Sequence, residues 1–306
     1  MPKRVDVLSL ACLGGAVLLW GTSFTAMKAA LTGFQPMAVV WMRMAIGSLI
    51  MIPLWGRVPR PRYEAGDWKW LLLLGLMQPC LYYLLEGYAI QLTTSAQAGM
   101  ISAIVPLLVA AGAALFLSER LPGAAVFGVF LSVAGVVGLS LAGGPAADAP
   151  APALGNGLEV LAMVSAAIYM LVVKRLSTRY DPWLLTGLQA LAGVVFFLPG
   201  AAVSDPTRWL DAPASAWVGT LYLGCFVTLG GFGLYNMAMA RMDAGRAAMA
   251  INLIPLVAVA TGWIVLGEAL RPVQAIACAA IIGGVLLGEL RAPRNVHPDA
   301  AAELGP

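Results

Sequence analysis

Apolar runs of about 20 residues follow one another along the chain, and that is the length a helix needs to cross roughly 30 Å of hydrocarbon. In lipid every backbone N–H and C=O must be satisfied within the protein, so such a segment is a helix or a strand of a closed barrel. Barrel strands are shorter and alternate in polarity, which these runs do not. Composition agrees: 60% of the residues are hydrophobic and 11% charged, too little charge for a soluble surface. The chain reads as an all-α polytopic membrane protein.

The runs lie near 7–30, 34–55, 68–90, 95–117 and 123–142, then 157–176, 183–203, 216–240, 245–267 and 272–290, ten in all. The opening MPKRVDVLSLACLGGAVLLWGTSF has the basic-then-apolar order of a signal peptide, but its apolar run is too long and lacks a convincing cleavage site. It is taken as the first span. Cys12, Cys80, Cys225 and Cys278 fall inside spans with no CxxC pair, so neither disulfides nor a metal site is expected.

Lys and Arg are distributed unevenly about these spans. The segments on the N-terminal side hold Lys3, Arg4, Arg57, Arg60, Arg62, Lys69, Arg120, Lys174, Arg175, Arg179, Arg241, Arg246, Arg291 and Arg294, and the other side holds Lys28, Arg208 and Arg271. That asymmetry predicts both termini in the cytoplasm. The net charge of +3 expresses the same bias and gives no reason to expect nucleic-acid binding.

The chain also repeats itself. At an offset of 149 residues Met100 matches Met249, Pro106 matches Pro255, Glu119 matches Glu268, Gly75 matches Gly224 and Gly135 matches Gly284. Upstream, an offset of 146 pairs Lys28 with Lys174, Pro36 with Pro182, Gly47 with Gly193 and Pro53 with Pro199. Each half holds five spans, an odd number, so the second copy enters the membrane inverted. Inverted halves can exchange conformations and open a midplane site to either side. The expected division is a first repeat over 1–145, a Pro/Ala linker over 146–156, a second repeat over 157–291 and a disordered cytoplasmic tail over 292–306 containing the lone His297.

The runs LLWGTSFTAMKAAL and PMAVVWMRMAIGSLIMIP, with the P-L-x(11)-E-x-L pattern that closes both fourth spans, resemble the drug/metabolite transporter superfamily, in its ten-helix type with two EamA domains. The resemblance covers nearly all of the chain. It implies a bacterial inner-membrane exporter of amino acids, including aromatic ones, or other small metabolites. It also implies a central cavity enclosed by spans from both halves.

Several polar residues inside the spans are candidates to line such a cavity. Arg43 lies about nine residues into the second span, roughly 13 Å deep at ~1.5 Å per residue. A cation there must face protein or water. It either meets a substrate carboxylate or is a structural arginine. Gln78, Tyr82 and Glu86 stand at i, i+4 and i+8 of the third span and form one polar stripe. Glu86 is placed for proton coupling, or for pairing with Lys28 near the outer end. Trp20 and Ser23 share a face of the first span, and the repeat maps Ser23 onto Tyr169. Asn236 and Asn252 can hydrogen-bond a ligand or a neighbouring helix. Met100 and Met249 offer an adaptable apolar wall or ordinary packing. Pro106 and Pro255 are expected to kink equivalent helices, as hinges or as fixed bends. Glu119 and Glu268 are expected to anchor loops.

No GxGxxG, Walker or HExxH motif occurs, so no enzymatic activity, cofactor or metal is expected. The expected function is alternating-access transport of small, neutral or zwitterionic metabolites by a monomer or weak dimer whose partners are the substrate and the lipid bilayer. No span has a carboxylate at its midpoint, which favours a facilitator over tight proton coupling. The alternatives are a proton-coupled multidrug exporter of the same superfamily and a lipid flippase.

Overall fold

The computed structural model describes residues 7–59, 61–116, 123–142, 146–204, 207–241 and 251–290. Among them there is no β-strand, and six helices are long and apolar enough to cross a membrane. Four shorter apolar helices, Ser95–Val109, Val126–Leu139, Ile254–Leu266 and Pro272–Gly284, occupy the remaining expected positions.

The first half runs α1 (Val7–Ala30), α2 (Pro36–Trp55), α3 (Asp67–Gly75), a π-helical stretch (Leu76–Leu81), α4 (Tyr82–Leu92), α5 (Ser95–Ile101), α6 (Val105–Phe116) and α7 (Gly123–Ala142). The second runs α8 (Pro152–Leu176), α9 (Pro182–Ala202), the short α10 (Thr207–Leu210), α11 (Ala214–Tyr222), a second π-helical stretch (Leu223–Gly231), α12 (Phe232–Arg241), α13 (Ile254–Leu266) and α14 (Pro272–Leu290). Pro36, Pro152 and Pro182 open α2, α8 and α9, where a missing N–H costs nothing.

Three expectations change here. The third span is broken: Gln78 is extended (φ −143°, ψ 115°) before Pro79, so Gln78 does not share a continuous helical face with Tyr82 and Glu86. A π-helical stretch recurs at the repeat-equivalent place, Leu223–Gly231. Secondly, α8 begins at Pro152, so its first turns take in the end of the predicted linker. Thirdly, Pro106 and Pro255 do not kink a continuous helix. Pro106 follows a 3-10 turn, Ser102–Ile104, and Pro255 lies in the first turn of α13. Glu119, Met249, Arg246 and the tail with His297 lie outside the described residues.

The protein is inverted in polarity relative to a soluble one. Phe130, Trp263, Ile264 and Val195 are exposed on the outer faces of their helices, whereas Arg43, Glu86, Glu159 and Asn236 are buried. The two halves meet symmetrically where α7 crosses α14. A Cβ added to Gly135 would stand 2.7 Å from the Ala277 carbonyl oxygen and 2.9 Å from the Ile281 nitrogen. One added to Gly284 would stand 2.5 Å from the Gly128 carbonyl oxygen and 2.9 Å from the Ser132 nitrogen. Gly128, Ser132 and Gly135 become 277, 281 and 284 at the 149-residue offset, so the contact is reciprocal. Small residues let the two backbones touch, and Ser132 Oγ donates to the Ile281 carbonyl at 3.1 Å.

Candidate functional site

A cavity of about 40 Å³ lies between the halves. Trp20, Ser23 and Phe24 of α1 line it, with Gln78, Tyr82, Tyr83 and Glu86 of the broken third span, Met163, Tyr169 and Met170 of α8, Ile251, and Ile254 at the start of α13. Trp20, Ser23, Gln78, Tyr82, Tyr169 and Glu86 are therefore brought together. A space of this size holds on the order of three waters.

Aromatic rings make the walls. Trp20 packs on Tyr235 at 4.9 Å and on Phe232 at 5.9 Å between ring centroids, and Tyr82 and Tyr83 meet edge to face at 5.1 Å. The Trp20 ring fits because position 231 is glycine: a Cβ there would lie 2.7 Å from Trp20 Nε1. Polar atoms punctuate the walls. Ser23 Oγ donates to the Trp20 carbonyl at 2.6 Å, and Tyr82 Oη donates to Glu86 Oε1 at 2.6 Å. The Gln189 amide nitrogen donates to the Gln78 carbonyl at 3.0 Å across the break, while Gln78 Oε1 has no partner among the described residues.

Other expected residues stand back from the cavity. Asn236 is buried and accepts from Tyr169 Oη at 2.9 Å while its amide donates to Thr186 Oγ1 at 3.0 Å, so it orients a lining residue. Met100 is buried in the core outside the lining, and Asn252 adjoins Ile251 without lining the cavity. Arg43 is 1% exposed and lies behind Tyr83, its guanidinium 4.1 Å from the ring centroid. It donates to Tyr83 Oη at 3.0 Å and to Thr228 Oγ1 at 3.2 Å. That placement favours a structural arginine over a direct contact with substrate.

Lys28 does not pair with Glu86. Its ammonium donates to the carbonyls of Ile90 at 2.7 Å, Thr93 at 2.5 Å and Asp148, closing one end of α4 against α1. Nearby, the Glu268 carboxylate accepts from the Ser95 nitrogen at 2.9 Å and the Ala96 nitrogen at 2.8 Å, which caps α5 and ties it to the end of α13. At the opposite end, Asp67 accepts from Arg179 at 2.6 Å and Tyr180 Oη at 2.9 Å, and Arg179 also pairs with Glu64.

One residue escaped the sequence reading. Glu159 of α8 is fully buried, and neither carboxylate oxygen has a hydrogen-bond partner among the described residues. A span that starts at 157 puts Glu159 in its first turn, at the interface. With α8 beginning at Pro152, it lies seven residues in, about 10 Å at ~1.5 Å per residue. The signal was Pro152 as the first residue of a helix. Glu159 lies short of the midpoint of α8, so the expectation that no span has a carboxylate at its midpoint stands, but it adds a second buried carboxylate beside Glu86.

The comparisons agree with this architecture. The sequence profile described as "EamA-like transporter family" matches residues 8–141 and 153–288. The chain is 25% identical over 292 residues to "Uncharacterized transporter YetK" of Bacillus subtilis, covering 94% of this chain and 88% of that protein. It is 27% identical over 271 residues to a "Probable terminal-alkyne amino-acid exporter" of Streptantibioticus cattleyicolor, covering 89% and 90%. A solved crystal structure of 24% identity superposes with a TM-score of 0.65 over 92% of this chain and 98% of its own, a likeness of fold.

Proposed function

The chain belongs to the EamA-like transporter family, and from that premise we propose that it exports small amine-bearing metabolites, amino acids including aromatic ones foremost, across the bacterial inner membrane by alternating access. Both termini lie in the cytoplasm on this reading, the orientation that the Lys/Arg asymmetry favours.

The observation that carries the substrate class is the cavity lining. Tyr82, Tyr83, Tyr169, Trp20 and Phe24 supply flat apolar walls, Met163 and Met170 supply adaptable ones, and Glu86 with the free Gln78 Oε1 supplies acceptors for an ammonium group. Ser23 and Ser102 add hydroxyls on the same surface. The relative named as a probable terminal-alkyne amino-acid exporter points the same way. At about 40 Å³ the cavity is far below the ~300 Å³ at which ligand pockets begin, so substrate entry needs the halves to part. Tests start from purified protein in liposomes preloaded with unlabelled amino acids, with entry of labelled ones measured as counterflow. Saturable counterflow is expected, and Trp20→Ala, Gln78→Ala and Tyr82→Ala should each lower it about tenfold, the effect of losing ~1.4 kcal/mol of binding. A panel in which no amino acid exchanges would sink the substrate assignment.

A further inference from the structure

Two carboxylates lie deep between α4 and α8, and their register follows from contacts on either side of them. A Cβ on Gly155 would stand 2.9 Å from the Ala89 carbonyl oxygen, and Ser165 Oγ donates to the Met77 carbonyl at 2.8 Å. The helices therefore run antiparallel, with 155 opposite 89 and 165 opposite 77. Between those points Glu159 falls level with Glu86, and the charge of Glu86 acts on it. Glu86 faces the cavity and is 3% exposed, whereas Glu159 is 0% exposed, with both oxygens unpartnered among the described residues.

The other charged and titratable groups facing the pair are few. Tyr82 donates to Glu86 and feels both carboxylates. Tyr83 adjoins it, and Arg43 of α2 acts on Glu86 from behind that ring. Of the other helices packed on α4 and α8, α5, α6 and α7 carry no titratable side chain. Elsewhere Lys28 is turned to the Ile90 and Thr93 carbonyls, Asp67 to Arg179 and Tyr180, Cys80 to the Ala192 carbonyl and Tyr235 to Trp20 and Tyr169, while Lys69 and Arg241 are exposed. Among the described residues this cluster holds two carboxyl groups and one guanidinium, which acts on Glu86. With both ionised the buried cluster carries a net negative charge, and one proton makes it neutral. Like-charged carboxylates in a shared low-dielectric site cannot both ionise without cost, and no described residue donates a hydrogen bond to Glu159.

We propose that Glu86 and Glu159 form an exchangeable proton site that opens onto the transport cavity. When the site discharges, the proton leaves the pair for cavity water and both carboxylates are ionised. Neutrality is then restored by a new proton or by a substrate ammonium at Glu86. Proton and substrate thus compete for one charge vacancy, and export becomes coupled to proton entry. That last step rests on the transport reading above; the proton site itself does not.

Infrared titration of the purified protein in lipid nanodiscs tests the site without any substrate. A protonated-carboxyl band is expected in the wild type at pH 7, lost as pH is raised and missing from E159Q, whose amide mimics the neutral acid. A wild type with no such band, a band unchanged in E159Q, or one insensitive to pH would overturn the proposal. If E159Q does not fold, the wild-type titration alone decides, one proton per chain being the expected result. Coupling is read in liposomes as the ratio of amino-acid flux with and without a pH gradient. That ratio should be several-fold in the wild type and one in E159Q; a wild-type ratio of one overturns the coupling. Wild-type liposomes lacking counterflow would instead refute the amino-acid reading, with the infrared result still standing.

Discussion

Arg43 shows how a charge inside a membrane protein is made tolerable without a carboxylate in contact. Its guanidinium lies on the Tyr83 ring and donates to two hydroxyls, Tyr83 Oη and Thr228 Oγ1. Arg43→Ala removes a large buried side chain together with those bonds, and should cost about 2–4 kcal/mol. Arg43→Lys keeps the charge, loses the planar stacking and should fall between. Thermal unfolding of both variants in detergent checks the order; equal midpoints for wild type and Arg43→Ala would show the contacts to be idle. That position 43 must face protein or water and not lipid was legible from depth alone. Its partners were not, because Thr228 lies 185 residues away in sequence. Glu159 illustrates the opposite difficulty: its identity was in plain view, but its depth depended on where a helix begins.

At the scale of elements, packing limits the chain most severely at the α7–α14 crossing. Gly135→Val or Gly284→Val would drive a side chain into the facing backbone, and each should destabilise the protein by about 1–3 kcal/mol. The reciprocity makes a sharper demand: the two substitutions should cost nearly the same, measured as loss of folded protein on heating. Helix positions were largely readable from the apolar runs; α1 spans Val7–Ala30 and α14 Pro272–Leu290, as expected. The break at Gln78 was less accessible. Spacing alone put Gln78, Tyr82 and Glu86 on one stripe, whereas Pro79 interrupts the helix and Gln78 reaches the same cavity by a different route. In the fourth and ninth spans the prolines mark where helix resumes after a break, so the expected kinks became joints between segments.

For the whole molecule, the arrangement of ties around the cavity matters most. Lys28 and Glu268 hold the ends of α1, α4, α5 and α13 together on one side of the membrane, while Asp67, Arg179 and Tyr180 join α3 to the end of α8 on the other. Alternating access requires one set to yield while the other holds. Lys28→Met should loosen the first set. In a background with the native cysteines replaced, Ser23→Cys should then react several-fold faster with a membrane-impermeant maleimide added on that side. Unchanged labelling would mean that Lys28 stabilises the fold without gating it.

The reciprocal contact at Gly135 and Gly284 has a consequence for how such a chain can be assembled. Because Gly135 meets 277 and 281 just as Gly284 meets their repeat counterparts 128 and 132, either half already contains both faces of this contact. One repeat made alone and inserted in both orientations would carry the complementary surfaces for pairing with its own copy. Fusion into one chain then adds independence between the halves: once tethered, the two were free to diverge, and a lone acidic side chain such as Glu159 could be placed on one side of the pseudo-symmetric cavity and not the other.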